Sequence, residues 1–481
     1  MRKIAALGIA ALASSLLVTT GPAGASSKRT TALTTSLTRV GSAEGGGEPS
    51  IAAARDGTLY VSAPTGAGMA FWRSTSHGKK WTAGGLAQSF AGDTSVNVDS
   101  SGAVYQTVLG GPAVLDFLQG VVYKSFNDGK TWPQHGSSPL SSTNSSSQPF
   151  QVDREWADAW IPPGKKTNQA RVYFSYHDWA PSQVWVNAST DGGKTFGLPV
   201  DVITDPVAEA DSFCDTIPGG VKVVQSGSHA GRVYVAWLAG DPLNAATGCN
   251  ETQLQAFHTI WVAWSDDQGV TWTDHLVFDG GLFHDASEIF ADLTLDNKGN
   301  PYVAFAMNLE SEFDVWVEAS FDGAETWNGK ADGTGRPYKV NSAPGTHYFP
   351  AIAAGDPGKV AVAYLATPFI TPTLPNGKPQ PNGDASASWS VFLAQSVNLR
   401  SGHPKWKNIQ VSKKAIHHGD ICTLGIFCLP GTNRNLRDFI DVVIDPSGLA
   451  HVVYTDDANY HPKAVVAANQ RTGPTFGRGG H

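Results

Sequence analysis

Charged side chains recur at one position of this sequence, just before a series of apolar, strand-like segments. The openings of these segments contain Glu48, Asp93, Asp153-Arg154-Glu155, Asp211 with Asp215, Glu288, His347-Tyr348 and Arg437-Asp438. Arginine can hold a carboxylate through paired hydrogen bonds, and two carboxylic acids can supply the acid and the base of glycoside cleavage. Charges repeated at this one position are hard to explain by packing alone and indicate a ligand site where the openings converge, with ion pairs between neighbouring units as the structural alternative.

Two stretches are the best candidates because each places arginine and acid side by side. They are "VDREWADAW" at 152–160 and "NRNLRDFIDV" at 433–442. Adjacent side chains of a strand point to opposite faces, so one member of each pair is predicted to face the centre while the other packs sideways. Trp156 and Tyr176 could stack on sugar rings, although most of the 15 tryptophans are expected in the core.

Each polar opening begins a hairpin, as in "EPSIAAARDGTLYVSA" at 48–63 and "SEIFADLTLDNKGNPYVAFA" at 287–306. Alternating apolar residues bounded by Asp-Gly or Asn-Lys-Gly-Asn turns are typical of β-hairpins. Seven such hairpins occur, and most are followed by a third and a fourth strand. Repeated four-stranded units predict an all-β propeller of seven blades, with six blades as the alternative.

The strand-like segment "TSLTRVGS" at 35–42 precedes the first hairpin and resembles the fourth strands of the other units. We predict that it completes the last sheet and closes the ring, which removes exposed strand edges. The predicted organisation is a signal peptide at 1–25, an N-terminal segment with the closing strand at 26–47, the propeller at 48–472 and a flexible tail at 473–481.

An octapeptide, "SDDQGVTW" at 265–272, has looser copies at 74–81, 125–132, 189–196 and 320–327. The pattern Ser-x-Asp-x-Gly-x-x-Trp resembles the Asp-box, or BNR repeat, of sialidases and related propellers. In that family the motif forms turns between the third and fourth strands of a blade, away from the central pocket. The resemblance implies structural roles for Ser189, Asp191, Gly193, Ser265, Asp267, Gly269, Trp272, Ser320, Asp322 and Trp327.

The same resemblance implies a sialidase-like glycoside hydrolase, or a related carbohydrate-active enzyme, with its site in the central pocket. Sialidases hold the sugar carboxylate with three arginines, use a tyrosine assisted by a glutamate as nucleophile, and use an aspartate as acid and base. The corresponding catalytic candidates here are Tyr348, Glu288, Asp93, Glu155 and Asp438. The substrate-binding candidates are Arg154, Arg434, Arg437, His347, Tyr176 and Trp156.

Two alternatives stay open, because the arginine that sialidases carry before their first box is absent from "GGGEPSIAAA" and because sialidase domains have six blades. The first is a non-catalytic extracellular propeller that binds a glycan or a protein. The second is a polysaccharide lyase, in which a pair such as His347 and Tyr348 would abstract a proton beside a uronate carboxylate.

The first 25 residues have the pattern of a secretory signal peptide. Arg2 and Lys3 precede an apolar run, and the segment ends on Ala23-Gly24-Ala25, a small-residue cleavage site. The protein is therefore predicted to be secreted. Cysteines of exported proteins are usually paired, so we predict two disulfides rather than a zinc site, Cys214–Cys249 and Cys422–Cys428.

Charge and composition restrict the kinds of molecule that the protein is expected to bind. With 42 acidic and 34 basic residues the net charge is −8, which argues against a nucleic-acid surface. No segment after the signal peptide approaches the roughly 20 apolar residues of a membrane span. The expected partner is a glycan or glycoconjugate and the expected state a monomer. No cofactor is expected, apart from a structural calcium ion that acidic turns near Asp456 and Asp457 could hold.

Overall fold

The computed structural model describes residues 32–42, 47–65, 68–87, 92–110, 120–137, 152–178, 183–249, 256–286, 290–380, 386–423 and 434–477. These residues form seven antiparallel sheets around one axis. The prediction of a seven-bladed all-β propeller is confirmed, and the six-bladed alternative is wrong. The predicted signal peptide lies outside the described residues.

The strands follow one another along the chain without long helices between them. In chain order they are β1 (Thr34–Ser42), β2 (Ser50–Ala53), β3 (Leu59–Thr65), β4 (Gly68–Ser74), β5 (Thr82–Ala83), β6 (Thr94–Val98), β7 (Val104–Leu109), β8 (Gly120–Ser125), β9 (Gln134–Ser137), β10 (Val152–Trp160), β11 (Arg171–Asp178), β12 (Val184–Ser189), β13 (Val200–Asp201), β14 (Thr216–Val223), β15 (Val233–Ala239), β16 (Thr259–Ser265), β17 (Thr273–Asp279), β18 (Asp292–Leu295), β19 (Pro301–Met307), β20 (Asp314–Ala319), β21 (Tyr338–Lys339), β22 (Thr346–Ala354), β23 (Val360–Thr367), β24 (Ser388–Ser396), β25 (Lys407–Gln410), β26 (His417–His418), β27 (Asp441–Ile444), β28 (Ala450–Asp456) and β29 (Ala464–Thr472).

Helical structure among the described residues is limited to short segments. The α-helix α1 (Pro206–Asp211) begins at Asp205, whose carboxylate accepts hydrogen bonds from the amides of Val207 and Ala208. Single 3-10 segments occur at Thr167–Gln169, Pro242–Thr247 and Leu399–Ser401. No helix in the described part of the chain is long and apolar enough to cross a membrane.

Blades 1 to 6 each use four strands that are consecutive in the chain, namely β2–β5, β6–β9, β10–β13, β14–β17, β18–β21 and β22–β25, and β26 also pairs with β24. Blade 7 combines β27, β28 and β29 with β1, which pairs with β29 from Thr34 to Ser42. Strands from the two ends of the propeller therefore close the ring, as predicted. Because β1 pairs with β29, the outer edge of β29 is not exposed.

The first strand of each blade lies at the axis, where one of its edges has no neighbouring strand. Backbone N–H groups on such an edge need partners when they are buried. Side chains of the preceding blade supply them at three places. Asp441 accepts a hydrogen bond from the amide of Ile51 (2.8 Å), Asp158 from that of Val223 (2.8 Å), and Asp292 from that of Ile352 (2.7 Å).

The octapeptide repeats lie in the turns between third and fourth strands, as their resemblance to the Asp-box implied. In the 265–272 copy, the Ser265 hydroxyl donates to Asp267 (2.8 Å) and accepts from the amide of Gly269 (2.8 Å). Asp267 also accepts from the amide of Thr271 at 2.9 Å. Burial alone would raise the pKa of Asp267, but hydrogen bonds from the hydroxyl and the amide of Thr271 and from Ser265 lower it to about 2. The carboxylate is therefore charged and already bonded within the turn.

Two of the looser copies have the corresponding serine–aspartate contact. Ser189 contacts Asp191, and Ser320 contacts Asp322, each at 2.8 Å. The closing tryptophans are buried, Trp272 at 8 % exposure and Trp327 at 0 %. The repeats therefore fasten the turns of the outer strands and lie away from the axis.

The predicted disulfide between Cys214 and Cys249 is present and joins the approach to β14 with the loop after β15. The second predicted pair involves Cys428, which lies outside the described residues, so that pairing stays a prediction.

We expect Asp267→Ala to lower the free energy of unfolding by about 1–2 kcal/mol, because the amides of Val270 and Thr271 lose their acceptor. Thermal denaturation followed by circular dichroism measures the change. The matched control is Glu325→Ala, an exposed carboxylate in the equivalent turn of the next blade. An equal loss in both variants would show that the hydrogen bonds of Asp267 contribute nothing specific.

Candidate functional site

The upper end of the axis, where the first strands of the blades begin, is occupied by the guanidinium of Arg154. This side chain is buried, with 3 % of its surface exposed. Its Nη2 atom lies 3.1 Å from Glu48 Oε1 and 3.0 Å from Asp438 Oδ2, and its Nη1 atom lies 3.4 Å from Asp93 Oδ2. The three carboxylates come from blades 7, 1 and 2, and Arg154 comes from blade 3, so one cation joins four blades.

Two aromatic rings cover the same guanidinium. Its Cζ atom lies 4.1 Å from the ring centre of Phe290 and 4.6 Å from that of Phe439. A ring face attracts a cation most strongly where water is excluded. We call these six residues the mouth: Glu48, Asp93, Arg154, Phe290, Asp438 and Phe439.

A bulge in β10 gives Arg154 its direction. Asp153 pairs with His177 and Trp156 with Ser175, so Arg154 and Glu155 together oppose a single residue of β11. Arg154 has a φ of 53°, in the left-handed region that a bulge of this type requires. Such a conformation costs an arginine about 1–3 kcal/mol and persists only where surrounding contacts hold it. The ion pairs of the mouth supply those contacts.

Burial dominates the electrostatics of the mouth. It raises the pKa of Glu48 well above the usual range, even though the charge of Arg154 opposes that shift. Burial alone would lower the pKa of Arg154, but Asp93, Glu48 and Asp438 raise it above its ordinary value. The guanidinium therefore stays charged and balances a group of acids that are poorly hydrated.

Glu155 follows Arg154 in the bulge but makes none of the ion pairs of the mouth. Only 3 % of its surface is exposed, and neither carboxyl oxygen has a hydrogen-bond partner among the described residues. Burial, with a further contribution from Asp93, raises the pKa of Glu155 well above the usual range. Burial thus favours the neutral form of Glu155, the residue next to Arg154.

Further cations surround the mouth on the blade 7 side. Arg434 Nη2 lies 2.6 Å from Asp438 Oδ2, and 24 % of the Arg434 side chain is exposed. Lys463 donates to the backbone oxygen of Asn435 at 2.6 Å. Burial, with a further contribution from the positive charge of Arg437, lowers the pKa of Lys463. The predicted arginines Arg434 and Arg437 are thus brought together with Arg154 at one end of the axis.

A histidine and an acid lie on the blade 3 side of the mouth. His177 Nε2 is 3.9 Å from Asp153 Oδ2, in the residue just before Arg154. Burial alone would lower the pKa of His177, but the contact with Asp153 and the charge of Asp215 raise it. Sequence reasoning missed His177, which ends the second strand of its blade in "RVYFSYHD". Only one feature could have identified it: in the hairpin, His177 pairs with Asp153, the first residue of the opening Asp153-Arg154-Glu155.

Below the mouth, the first strands enclose an axial cavity of about 110 Å³. Its lining includes Trp156, Lys222, Asp292 and Asp441, together with the rings of Phe290 and Phe439 that cover Arg154. Burial, with a further contribution from Asp441, raises the pKa of Asp292 to about 7. Sequence analysis missed this second set of charges: Asp292 and Asp441 are the first residues of β18 and β27, just after the openings that were singled out, and Lys222 lies within β14.

The structure places three predicted residues in the core instead of at the mouth. Tyr348 is 2 % exposed and stacks on Trp389 at a centroid distance of 5.4 Å. Burial raises its pKa far above the ordinary value. His347 is 1 % exposed, and the phenol of Tyr176 donates to Asn187 at 2.5 Å inside blade 3. A substrate at the mouth would not reach these three side chains.

The catalytic role of Glu288 and the calcium site are not tested by the described residues. Glu288 lies outside the described residues, so its predicted catalytic role stays a prediction. The described residues contain no group of three or more His, Cys, Asp or Glu side chains arranged to hold a metal ion. The calcium site considered from the sequence also stays a prediction.

No known protein-family model matches the sequence. Among solved structures, the chain is similar to an ulvan lyase described as a new polysaccharide lyase family, at 13 % identity and a TM-score of 0.47 over 92 % of this chain and 97 % of the other. It is similar to the intramolecular trans-sialidase of Ruminococcus gnavus at 15 % identity and a TM-score of 0.41, covering 91 % and 96 %.

A third similar structure is the α-L-arabinanase of Penicillium chrysogenum, at 14 % identity and a TM-score of 0.40, covering 69 % of this chain and 94 % of the other. Identities and TM-scores this low say nothing about a shared activity.

We expect Arg154→Met to lower the free energy of unfolding by about 3–5 kcal/mol at neutral pH, because it leaves buried carboxylates without their cation. Without Arg154 the pKa of Glu48 should rise further. A carboxyl group whose pKa is higher in the folded than in the unfolded protein binds more protons when folded, so the stability of the variant should fall as the pH rises from about 5 to 8.

Chemical denaturation followed by tryptophan fluorescence measures both effects. The control is Arg434→Met, which removes a partly exposed guanidinium from the same carboxylate and should cost at most about 1 kcal/mol. A loss in Arg154→Met that does not depend on pH would contradict the charge balance described for the mouth.

Proposed function

We propose that the protein is an extracellular carbohydrate-active enzyme that cleaves an anionic glycan at the mouth of the propeller axis. Asp93 and Asp438 would be the catalytic carboxyl groups. Arg434 and Arg437 would hold the negative group of the substrate, and Arg154 would position the two acids. The signal-peptide pattern of the first 25 residues and the Cys214–Cys249 disulfide support an extracellular location.

One observation carries this proposal: a single guanidinium contacts both Asp93 and Asp438. Two carboxylates on one guanidinium lie within about 9.5 Å of each other, the upper limit of the spacing found in glycoside hydrolases. In such a pair one group gives a proton to the leaving oxygen. The other attacks the sugar carbon or activates a water molecule.

The carboxyl groups remain partly accessible, which a catalytic role requires. The exposed fraction of the side chain is 15 % for Asp93 and 12 % for Asp438, whereas Glu48 is fully buried. Glu48 therefore fits a structural role under Arg154. Asp93 and Asp438 fit contact with a bound sugar.

The geometry favours carboxyl chemistry over a tyrosine nucleophile. Tyr348 and Tyr176 are both buried in blades, at 2 % and 0 % exposure. Arg154, the first of the three arginines considered for the sugar carboxylate, already contacts three acids. An anionic substrate would instead meet Arg434, whose side chain is 24 % exposed, compared with 4 % for Arg154.

The test is the release of reducing ends from a panel of uronides, sialosides, galactosides and arabinosides, and from the corresponding polysaccharides. We expect Asp93→Asn and Asp438→Asn to lower kcat/KM on the active substrate by about 10²- to 10⁴-fold. Each variant should stay folded, because Arg154 keeps two of its three carboxylate partners. The matched control is Asp332→Asn, the same change at an exposed loop position far along the chain.

Full activity in Asp438→Asn would contradict the assigned role. If the wild type cleaves no member of the panel but binds glycans on an array, the protein is a binding propeller and the enzymatic proposal fails. Products with an unsaturated uronate end would identify elimination rather than hydrolysis. They would make His177 the group to replace next.

A further inference from the structure

The end of the propeller opposite the mouth carries the turns that follow the first and third strands. First strands begin at the mouth, and because neighbouring strands are antiparallel, third strands run in the same direction. We call this end the lower face. Six exposed lysines lie in its turns in blades 1 to 3, and we call them the basic patch: Lys79, Lys80, Lys130, Lys165, Lys166 and Lys194.

Three lysines of the basic patch occupy the same position of the octapeptide. Lys79, Lys130 and Lys194 each follow the glycine of their copy. Because the blades repeat around one axis, equivalent residues lie at the same height, and these three form an arc over neighbouring blades. The next two copies have Val270 and Glu325 at this position, so the arc ends at blade 3.

Contacts between blades join these turns into one surface. The amide of Gly85, just after β5 of blade 1, donates to the backbone oxygen of Gly129 in the octapeptide of blade 2 at 2.8 Å. Lys124 Nζ of blade 2 donates to the backbone oxygens of Thr167 at 2.7 Å and Gly192 at 3.2 Å, in the two lower turns of blade 3. The basic patch is therefore continuous across three blades.

The acids of these turns are already engaged. Asp128 forms an ion pair with Arg73 at 3.0 Å, and Asp191 accepts hydrogen bonds within its own turn. The exposed Asp56 follows the exposed Arg55 directly. No lysine of the basic patch forms a side-chain hydrogen bond or an ion pair with the residues that the structure describes. The patch therefore presents a local positive charge, although the whole chain has a net charge of −8.

An exposed aromatic ring lies within the basic patch. Phe126 belongs to the same octapeptide as Lys130, and 51 % of its surface is exposed. Lys124 Nζ lies 5.2 Å from the centre of its ring, and the same ammonium group contacts both lower turns of blade 3. Phe126 is thus held where blades 2 and 3 meet. An apolar ring among cations is typical of surfaces that enter the interfacial region of a membrane.

We infer that the basic patch binds the surface of an anionic phospholipid membrane, with the ring of Phe126 entering the headgroup region. Lysines near such a surface are attracted by its negative potential, and a buried ring adds apolar contact. The lysines lie in turns that end side by side at one end of the molecule, which suits a flat surface better than a single polysaccharide chain. The mouth lies at the opposite end and stays accessible, so this inference does not depend on the proposed function.

The experiment is co-sedimentation of the protein with vesicles of phosphatidylglycerol and phosphatidylcholine in equal parts, and with vesicles of phosphatidylcholine alone. We expect binding to the anionic vesicles only, and weaker binding as the salt concentration rises. The double variant Lys130→Glu, Lys194→Glu should bind about 10- to 100-fold more weakly. The matched control is Lys330→Glu, the same change at an exposed lysine of the lower face in blade 5, and it should bind as the wild type does.

A second pair of variants tests the ring. Phe126→Ala should weaken binding about tenfold. Phe126→Trp keeps an aromatic ring and should bind at least as well as the wild type, because tryptophan favours the membrane interface. All of these side chains are exposed, so thermal denaturation should show the same midpoint in every variant, which separates loss of binding from loss of the fold.

Each outcome decides the matter. Equal binding to neutral and anionic vesicles overturns the inference, as does a wild type that binds neither, or a lysine double variant that binds like the wild type. Retention by dextran sulfate without binding to vesicles assigns the patch to an anionic polysaccharide and overturns the membrane. A dimer in analytical sedimentation that the double variant converts to a monomer also overturns it, since the patch would then face a second copy.

Discussion

A buried guanidinium at the upper end of the axis is the interaction on which the centre of this propeller depends. Arg154 is charged and almost fully buried, which is unfavourable unless every side of the group is satisfied. Carboxylates satisfy its edge and the rings of Phe290 and Phe439 cover its faces. Because these partners belong to different blades, the contacts that keep Arg154 charged also keep the starts of the blades in place.

Below the mouth, buried side chains are also satisfied across blades, but there their partners are uncharged backbone amides. First strands expose an unpaired edge towards the centre, and polar side chains of the preceding blade accept the free amides, as Asp441 does for Ile51. These side chains bring charge into a narrow cavity, where Asp292 titrates near neutrality. The polar residues at the axis are thus first a requirement of the architecture. In the proposed function, catalysis would use Asp93 and Asp438, which remain partly accessible at the mouth.

The sequence predicted the blades well and the site only in part. Hairpin turns such as "LDNKGN" recur in all seven blades and the octapeptide in five of them, so the number of blades could be counted without coordinates. The polar openings correctly marked the end of the axis that gathers charge. The orientation of Arg154 could not be predicted, since it depends on a bulge and on partners from three other blades. The position of Tyr348 could not be predicted either, because its ring stacks on Trp389, a contact between β22 and β24 of the same blade that the local sequence does not reveal.

The most direct test of the central claim is a double-mutant cycle between Arg154 and Asp438. The free energy of unfolding is measured for the wild type, Arg154→Met, Asp438→Asn and the double variant. If the guanidinium and the carboxylate stabilise each other across the axis, the double variant should be more stable than the two single losses imply, with a coupling of about 1–3 kcal/mol. A coupling near zero would mean that Arg154 does not organise the mouth, and the assignment of Asp438 beside it would lose its physical basis.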